Sequence, residues 1–187
     1  MKQPVKGSGK VKKKKVVVKK HNPFKTRNHK QEYGTSKLET YFATEFLDKL
    51  GLFYVYEYEA KDIKRFFDFA VTSDTKREYV FEMNNGIKSI KQNAKTVFID
   101  FIIEVDGDYH HGNPDVVDVN NLNPMQKHNR FVDGLKDEWC AMHCIPLLRI
   151  WENDIRHNPK KVMDMLKKYA GDGKKRRMIQ DNKKRPH

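Results

Sequence analysis

The sequence has very little cysteine and no long apolar run. Cys140 and Cys144 are the only cysteines among 187 residues, so no disulfide framework can form and a reducing cytosol or nucleus is expected. No stretch approaches the roughly 20 apolar residues of a membrane span, and the N-terminus is too rich in lysine for a signal peptide. We therefore expect a hydrophobic core that folds without disulfides, for which the chain is long enough.

Acidic residues are nearly absent from the two ends of the chain. Residues 1–33 hold 12 Lys and Arg against one acid, a charge of +11, and residues 171–187 hold seven against two, a charge of +5. The middle, residues 34–170, carries a charge of −3. This pattern predicts one domain between a basic arm and a basic tail that bind a polyanion. The alternative is solvated tails that bind nothing specific. A nuclear import signal or a phosphate-binding arm would use the lysines of residues 12–20: Lys12, Lys13, Lys14, Lys15, Lys19 and Lys20.

Local signals predict an α/β or α+β domain around a mixed sheet. Cap and stop residues predict three helices, at 36–51, 124–143 and 159–171. Aromatic and β-branched content predicts strands at 53–58, 66–72, 79–83, 96–106 and 145–151. Residues 111–123 show no periodicity and are expected to form an irregular loop. The order helix, strands, helix, strand, helix is typical of a mixed sheet flanked by helices.

Glu39 is an unusual residue within the first predicted helix. Ser36 and Glu39 form an S-x-x-E capping box, which is one explanation for its presence. At 100° per residue, however, Glu39 falls between Phe46 and Leu50, near the centre of the apolar face. A carboxylate directed at the core is therefore expected here.

Three acidic residues lie in or beside strands that are otherwise apolar. Asp68 interrupts strand 66–72, in which alternation places Phe67 and Phe69 together on the opposite face, and Glu104 and Asp106 share one face at the end of strand 96–106. If these strands pair, the three carboxylates meet and would hold Mg²⁺, Mn²⁺ or Ca²⁺, which prefer oxygen ligands. The alternative is that the acids face solvent at strand ends or pair with the neighbouring cations Lys64 and Arg65.

The motifs resemble those of the PD-(D/E)xK nucleases. Asp68 followed by Glu104-x-Asp106 looks like that core, with Phe67 where Pro is usual and Asp106 where Lys is usual. The wider pattern is most similar to very-short-patch-repair endonucleases and phage homing endonucleases, and it rests on Glu39, Asp68, Val105-Asp106-Gly107, Tyr109-His110-His111 and Ile145–Glu152. The resemblance implies a restriction-endonuclease-like core and a Mg²⁺- or Mn²⁺-dependent endonuclease for double-stranded DNA. It implies that Asp68 binds the metal, that Glu39 and Asp106 complete the site, and that His110 is a general acid or base.

Two departures from these families leave other functions open. The cysteines of the structural zinc site in the repair enzymes are absent around Asp106–His111, which favours a homing or phage-type nuclease. The missing Lys supports a nuclease-fold protein that binds nucleic acid without cutting it. A small basic RNA-associated protein is a third hypothesis, but RNA binding gives no reason to cluster carboxylates at strand ends.

Two further groups have both a functional and an ordinary interpretation. Cys140, His143 and Cys144 have helical spacing suited to zinc, although buried cysteines that pack beside Trp139 are the favoured interpretation. Polar residues also recur along the second helix and along residues 74–95, which look like an insertion because Asp68 and Glu104 are 36 positions apart, a long connection for a hairpin. A solvated face is the default for Asn129, Asp133 and Lys136, with a role near a scissile phosphate as the alternative. DNA contacts are predicted for Lys88, Lys91 and Lys95, and the alternative is that these lysines simply solvate a loop.

Overall fold

A four-stranded mixed sheet forms the centre of the protein. The computed structural model describes residues 36–72, 79–92 and 98–183. The strands are β1 Phe53–Ala60, β2 Arg65–Thr72, β3 Phe81–Asn84, β4 Ile87–Ile90, β5 Phe101–Asp106 and β6 Leu147–Trp151. The helices are α1 Lys37–Phe42, which continues as a π-helical turn Ala43–Leu47, α2 Pro124–Met142, α3 Glu152–His157 and α4 Pro159–Lys183. The predicted mixed α/β class is confirmed, whereas β4 and α3 were not predicted.

Helices cover both faces of the central sheet. Its strand order is β1-β2-β5-β6, antiparallel except for the parallel pair β5 and β6. One face packs against α1, the π-helical turn, α3 and α4 through a core that includes Phe42, Phe69 and Ile103. The other face packs against α2, where Trp139 and Cys140 lie beside Ile102. Each face therefore buries one side of the alternating strands.

The side-chain alternation of β1 and β2 breaks at one point, and this corrects a prediction. Phe69 packs with the α1 and α4 core, but Phe67 packs on the opposite face, with its ring 5.3 Å from that of Trp139. Opposite this break, Glu57 of β1 has a φ of +51°, outside the extended conformation of a strand. The prediction that Phe67 and Phe69 share a face is therefore wrong, and Asp68 lies at the break itself.

The segment that separates β2 from β5 contains a small hairpin. Strands β3 and β4 pair around Asn85-Gly86, as the turn signal predicted. Ile87 and Ile90 of β4 are buried, while Met83 of β3 is 68% exposed. The hairpin is also fixed to β1 through the side-chain amide of Asn84, whose Nδ2 donates to Glu57 Oε2 at 3.3 Å. The hairpin tip therefore lies beside the break in β1.

The starts of α1 and α2 follow their cap signals. Ser36 caps α1 and accepts a hydrogen bond from the Glu39 amide. Asn123 and Gln126 form a reciprocal capping box at the start of α2, with Pro124 in the first turn. Residues 107–123 form turns without a helix or a strand, which agrees with the predicted loop.

The predicted helix end at Gly171 is wrong, because α4 continues to Lys183. Packing explains the continuation better than local propensity does. A Cβ at Gly173 would lie 2.6 Å from the Cβ of Asp100, so glycine allows α4 to approach the start of β5 closely. Arg176 then donates to the Asp100 carbonyl at 2.9 Å. Neither α4 nor any other described helix is both long and apolar enough to cross a membrane.

Candidate active site

The candidate site lies where β2 and β5 separate. Their paired register runs from Val71 opposite Phe101 to Phe69 opposite Ile103, and there it ends. Beyond that point, acidic side chains instead of backbone carbonyls accept hydrogen bonds from the backbone amides. The Val105 amide donates to Asp68 Oδ2 at 2.7 Å, and the Asp68 amide donates to Glu104 Oε1 at 3.3 Å. Because the backbone amides of a sheet must find acceptors, this separation is stabilised by carboxylates. The structure thus brings Asp68 and Glu104, two of the three predicted metal ligands, together.

A lysine from α2 neutralises Glu104. Lys136 Nζ lies 2.6 Å from Glu104 Oε2, and the two residues are 9% and 2% exposed. The ammonium also lies 5.4 Å from the centre of the Phe67 ring. Burial raises the pKa of Asp68 to about 6, against the opposing charge of Lys136, and it raises the pKa of Glu104 well above its ordinary value. One ammonium is thus too little to keep two buried carboxylates at their ordinary pKa.

Glu39 adds a third carboxylate from α1. Its Oε2 accepts a hydrogen bond from the Tyr56 hydroxyl at 2.8 Å, which directs the side chain into the sheet rather than only toward the helix cap. Burial, followed by the negative charge of Asp68, raises the pKa of Glu39 to about 7. We call Glu39, Asp68, Glu104 and Lys136 the carboxylate cluster. It combines three acids with one cation.

Asp106 belongs to a neighbouring group that contains an arginine. Arg149 Nη1 of β6 lies 3.0 Å from Asp106 Oδ2 and 3.3 Å from Asp133 Oδ1. Its Nη2 lies 3.0 Å from Asp137 Oδ1. His111 Nδ1 lies 2.9 Å from Asp133 Oδ2 and 3.6 Å from Asp106 Oδ1. We call Asp106, His111, Asp133, Asp137 and Arg149 the arginine cluster. The structure therefore places the third predicted metal ligand, Asp106, against a guanidinium.

Charges within the arginine cluster largely compensate one another. Burial acts to raise the pKa of Asp133, but the hydrogen bond from His111 and the charge of Arg149 outweigh it and hold that pKa below its usual value. Burial also opposes protonation of His111, yet Asp133 and Asp106 raise its pKa. For Asp106, burial remains the larger effect and its pKa is raised despite Arg149.

No family model matches this chain, and no curated protein or solved structure matches it significantly. The restriction-endonuclease-like core and the nuclease activity implied by the motifs are therefore proposals. Their support comes from the residues that the fold brings together at the end of β5.

The two histidines after Asp106 occupy different environments. The predicted acid or base, His110, is exposed, and its ring lies 5.7 Å from that of Tyr109. Its carbonyl accepts a hydrogen bond from Asn129, and its ring also borders Gly107, on the side where Glu152 lies. His111 is directed inward to the arginine cluster. The His110 side chain is thus exposed to solvent beside Gly107.

The other predicted binding residues are only partly described. Lys88 and Lys91 are exposed on and beside the β3–β4 hairpin, and Lys88 Nζ lies 4.5 Å from the centre of the Phe81 ring. The remaining predicted DNA contacts lie outside the described residues; these are Lys12, Lys13, Lys14, Lys15, Lys19, Lys20 and Lys95. Cys140 is buried beside Trp139, as favoured, and Cys144 is exposed.

Sequence reasoning missed Lys136 and Arg149 as partners of the acids. The default interpretation of the α2 stripe as a solvated face is wrong, because Asn129, Asp133 and Lys136 all contact the site region. One signal could have identified the stripe. These residues lie 11, seven and four positions before the buried Cys140, so all four share one face of the helix. A polar stripe that continues into a buried position indicates a buried polar site.

Proposed function

We propose that the protein is a metal-dependent endonuclease that hydrolyses phosphodiester bonds in double-stranded DNA. One observation carries the proposal: the side chains of Asp68 and Glu104 lie together at the separation of β2 and β5, with Lys136 as the cation in contact with Glu104. The negative charge of Asp68 also raises the pKa of Glu39 from α1. Burying such an excess of negative charge is costly unless a cation is bound or protons are taken up. Within a basic chain, this arrangement supports phosphodiester chemistry.

The donor set of the carboxylate cluster fits a hard divalent cation. Asp68 and Glu104 would hold Mg²⁺ or Mn²⁺, since each carboxylate has lone pairs beyond those engaged by the Val105 amide and by Lys136. Asp106 suits this role less well, because both of its oxygens lie 3.0 to 3.2 Å from Arg149 Nη1. When bound, such an ion supplies Lewis-acid stabilisation of negative charge on a scissile phosphate.

Lys136 supports an active enzyme rather than a degenerate one. The expected lysine is missing two positions after Glu104, where Asp106 stands. The ammonium of Lys136, 2.6 Å from Glu104, supplies a positive charge from α2 instead. There it can donate hydrogen bonds to a phosphate oxygen that approaches Asp68 and Glu104. This contact reduces the weight of the alternative, a nuclease-fold protein that binds nucleic acid without cutting it.

Two groups are suited to proton transfer. Glu39, with a pKa raised to about 7, can accept a proton from water near neutral pH, and the Tyr56 hydroxyl fixes the orientation of its carboxylate. His110 lies at the exposed rim beside Gly107, where an imidazole can donate a proton to the departing oxygen. In this proposal Glu39 acts as the base and His110 as the acid.

Duplex DNA is proposed as the substrate because the chain carries a large excess of positive charge outside the carboxylate cluster. The N-terminal arm carries +11, and Lys88 and Lys91 lie on the hairpin whose tip contacts Glu57. The charge of Glu57 also contributes to the raised pKa of Glu39, so the hairpin lies near the carboxylate cluster. A DNA substrate would place the protein in a bacterial or phage-infected cytoplasm, or in a nucleus.

Cleavage of supercoiled plasmid tests the proposed function. The full-length protein should convert the plasmid to nicked or linear forms with Mg²⁺, and EDTA should prevent this. Asp68→Asn should be inactive, while Asp164→Asn, a matched change at an exposed position of α4, should cleave like the parent. Binding of DNA without cleavage at any Mg²⁺ or Mn²⁺ concentration would favour the degenerate alternative.

The basic arm should supply much of the affinity for DNA. Deletion of residues 1–33 should weaken binding to duplexes of any sequence and reduce its salt dependence. Each lost phosphate contact lowers the slope of log K against log salt by roughly 0.9 for duplex DNA. The measurement is a fluorescence-anisotropy titration at several salt concentrations with EDTA present. A slope equal to that of the full chain would contradict this role of the arm.

A further inference from the structure

Without its arginine, the arginine cluster would itself be a donor set for a metal ion. One ligand atom from each of Asp106, His111 and Asp133 lies within 4.8 Å of the others, the one such group found among the described residues. Two carboxylates and an imidazole suit Mn²⁺ and related divalent ions. A cation already lies on this group, however, because Arg149 Nη1 is 3.0 Å from Asp106 and 3.3 Å from Asp133.

The guanidinium is held from several directions. Besides these contacts, Nε and Nη2 donate to Asp137 Oδ1 at 3.2 and 3.0 Å, and Nη2 donates to the Asp133 carbonyl at 3.2 Å. Arg149 also stands directly opposite Glu104 in the parallel register of β5 and β6. The rigid fork of an arginine, bonded through all three of its nitrogens, cannot leave the acids without breaking several charge-assisted hydrogen bonds.

We propose that Arg149 is the resident cation of the arginine cluster and keeps divalent ions out of it, so that the protein binds its ion only in the carboxylate cluster. A divalent ion on Asp106 and Asp133 would share their oxygens with the guanidinium. In a partly buried site this repulsion is weakly screened. Arg149 therefore determines where a metal ion binds and how many ions the protein holds.

The proposal rests on the proposed function only for the location of the first ion. It also explains why two acidic groups on one strand, Glu104 and Asp106, differ in their suitability as ligands. Glu104 contacts a single ammonium, whereas both oxygens of Asp106 face the same guanidinium nitrogen.

Mn²⁺ binding to the full-length protein without DNA tests the inference. The number of bound ions is measured by electron paramagnetic resonance of free Mn²⁺ and by calorimetry. Arg149→Gln should bind about one more Mn²⁺ than the parent, because it frees three donors. Arg149→Lys, which keeps a positive charge, should bind no more than the parent. Adding Asp133→Asn to Arg149→Gln should remove the extra ion, and Mn²⁺ should raise the melting temperature of Arg149→Gln more than that of the parent.

Several outcomes separate this inference from the proposed function. The inference would be overturned if folded Arg149→Gln bound the same number of Mn²⁺ ions as the parent. It would also be overturned if the parent bound two Mn²⁺ ions and the Asp133→Asn variant bound one. If the parent binds no ion and Arg149→Gln binds one, the inference stands and the proposed metal site fails. If Arg149→Gln does not fold, Asp137→Ala replaces it, since this change removes the acceptor of two hydrogen bonds of Arg149 and leaves the three metal donors intact. Mn²⁺ affinity no higher than that of the parent would then overturn the inference.

Discussion

The carboxylate cluster and the arginine cluster lie side by side on β5, but the chain neutralises them differently. In the arginine cluster, Arg149 contacts three aspartates and His111 contacts two of them. In the carboxylate cluster, Lys136 contacts Glu104 and its charge also acts on Asp68, while burial raises the pKa of all three acids, Glu39, Asp68 and Glu104. Acids that share several hydrogen bonds with one arginine are held in place and have a structural role. Acids that outnumber their neighbouring cations can bind a further cation.

The largest expected effect is the difference in cleavage rate between two neutral substitutions, one in each cluster. Asp68→Asn should reduce single-turnover cleavage by at least about 10²- to 10³-fold, the size of effect typical when one directed electrostatic contact is lost. The carboxamide oxygen can still accept from the Val105 amide, so the fold should be retained. Asp133→Asn should stay within about tenfold of the parent, because Asp133 belongs to the scaffold. Plasmid cleavage and circular dichroism provide the two measurements.

The opposite order of effects would reverse the roles assigned to the two clusters. If Asp133→Asn abolished cleavage and Asp68→Asn did not, the arginine cluster would contain the reacting centre. Asp68→Ala sharpens the result, because it also removes the acceptor of the Val105 amide. It should therefore be less stable than Asp68→Asn by about 1–3 kcal/mol, the cost of a buried donor left without a partner.

Removal of Lys136 should have the next largest effect. Lys136→Met leaves Glu104 buried without its cation, which typically costs about 3–5 kcal/mol of folding stability when the remaining charge cannot be neutralised. Urea denaturation in EDTA measures this loss. Mg²⁺ should recover part of it by binding the unpaired carboxylate, and the double variant Glu104→Gln with Lys136→Met should be more stable than Lys136→Met alone. Equal stability with and without Mg²⁺ in Lys136→Met would contradict an ion at Glu104.

Substitution of the two histidines should affect the cleavage rate to different extents. His110→Ala should slow single-turnover cleavage by about 10²-fold, within the range of general acid–base catalysis, with little change in metal affinity. His111→Ala should slow it less, because His111 contacts Asp133 within the scaffold. A pH series at saturating Mg²⁺ compares both with the parent. Greater damage from His111→Ala, or loss of metal binding in both variants, would mean that the histidines act as ligands.

The smallest expected effect is a pH dependence of stability from His111. Its folded pKa is raised, because Asp133 and Asp106 outweigh the effect of burial. The stabilisation is therefore complete below the unfolded pKa of about 6.5 and is lost as the pH rises through the folded pKa. His111→Ala should cost about 1–2 kcal/mol below pH 6.5 and progressively less above it. Urea denaturation across pH 5 to 9 measures this, with Asp133→Asn as the control background in which the dependence should shrink.

Local patterns predicted the acids of the site but not their cations. The period of two in strand 96–106 placed Glu104 and Asp106 on one face, and the helical period directed Glu39 at the core. A strand pattern gives the face of a residue but not the helix that covers that face. Lys136 and Arg149, which are 32 and 45 positions after Glu104, could be assigned as partners only from tertiary structure.

The errors along the chain have the same origin. The low helix propensity of Gly171 favours the end of a helix there, but the packing of Gly173 and Arg176 against Asp100 stabilises α4 beyond that residue. Phe67 and Phe69 have the two-residue spacing that places side chains on one face of a regular strand. Their side chains nevertheless lie on opposite faces of the sheet, next to the positive φ of Glu57 on the neighbouring strand. In both cases a contact between distant segments outweighs a local preference.

The bond from the Val105 amide to the Asp68 side chain gives the protein an internal reporter. An amide within a regular ladder exchanges its hydrogen for deuterium when strands open, whatever the state of the side chains. The protection of the Val105 amide depends instead on one carboxylate, which can also be protonated or shared with an ion. Hydrogen exchange at this single amide should therefore follow the occupancy of the site, while the amides within the β2–β5 ladder remain unchanged.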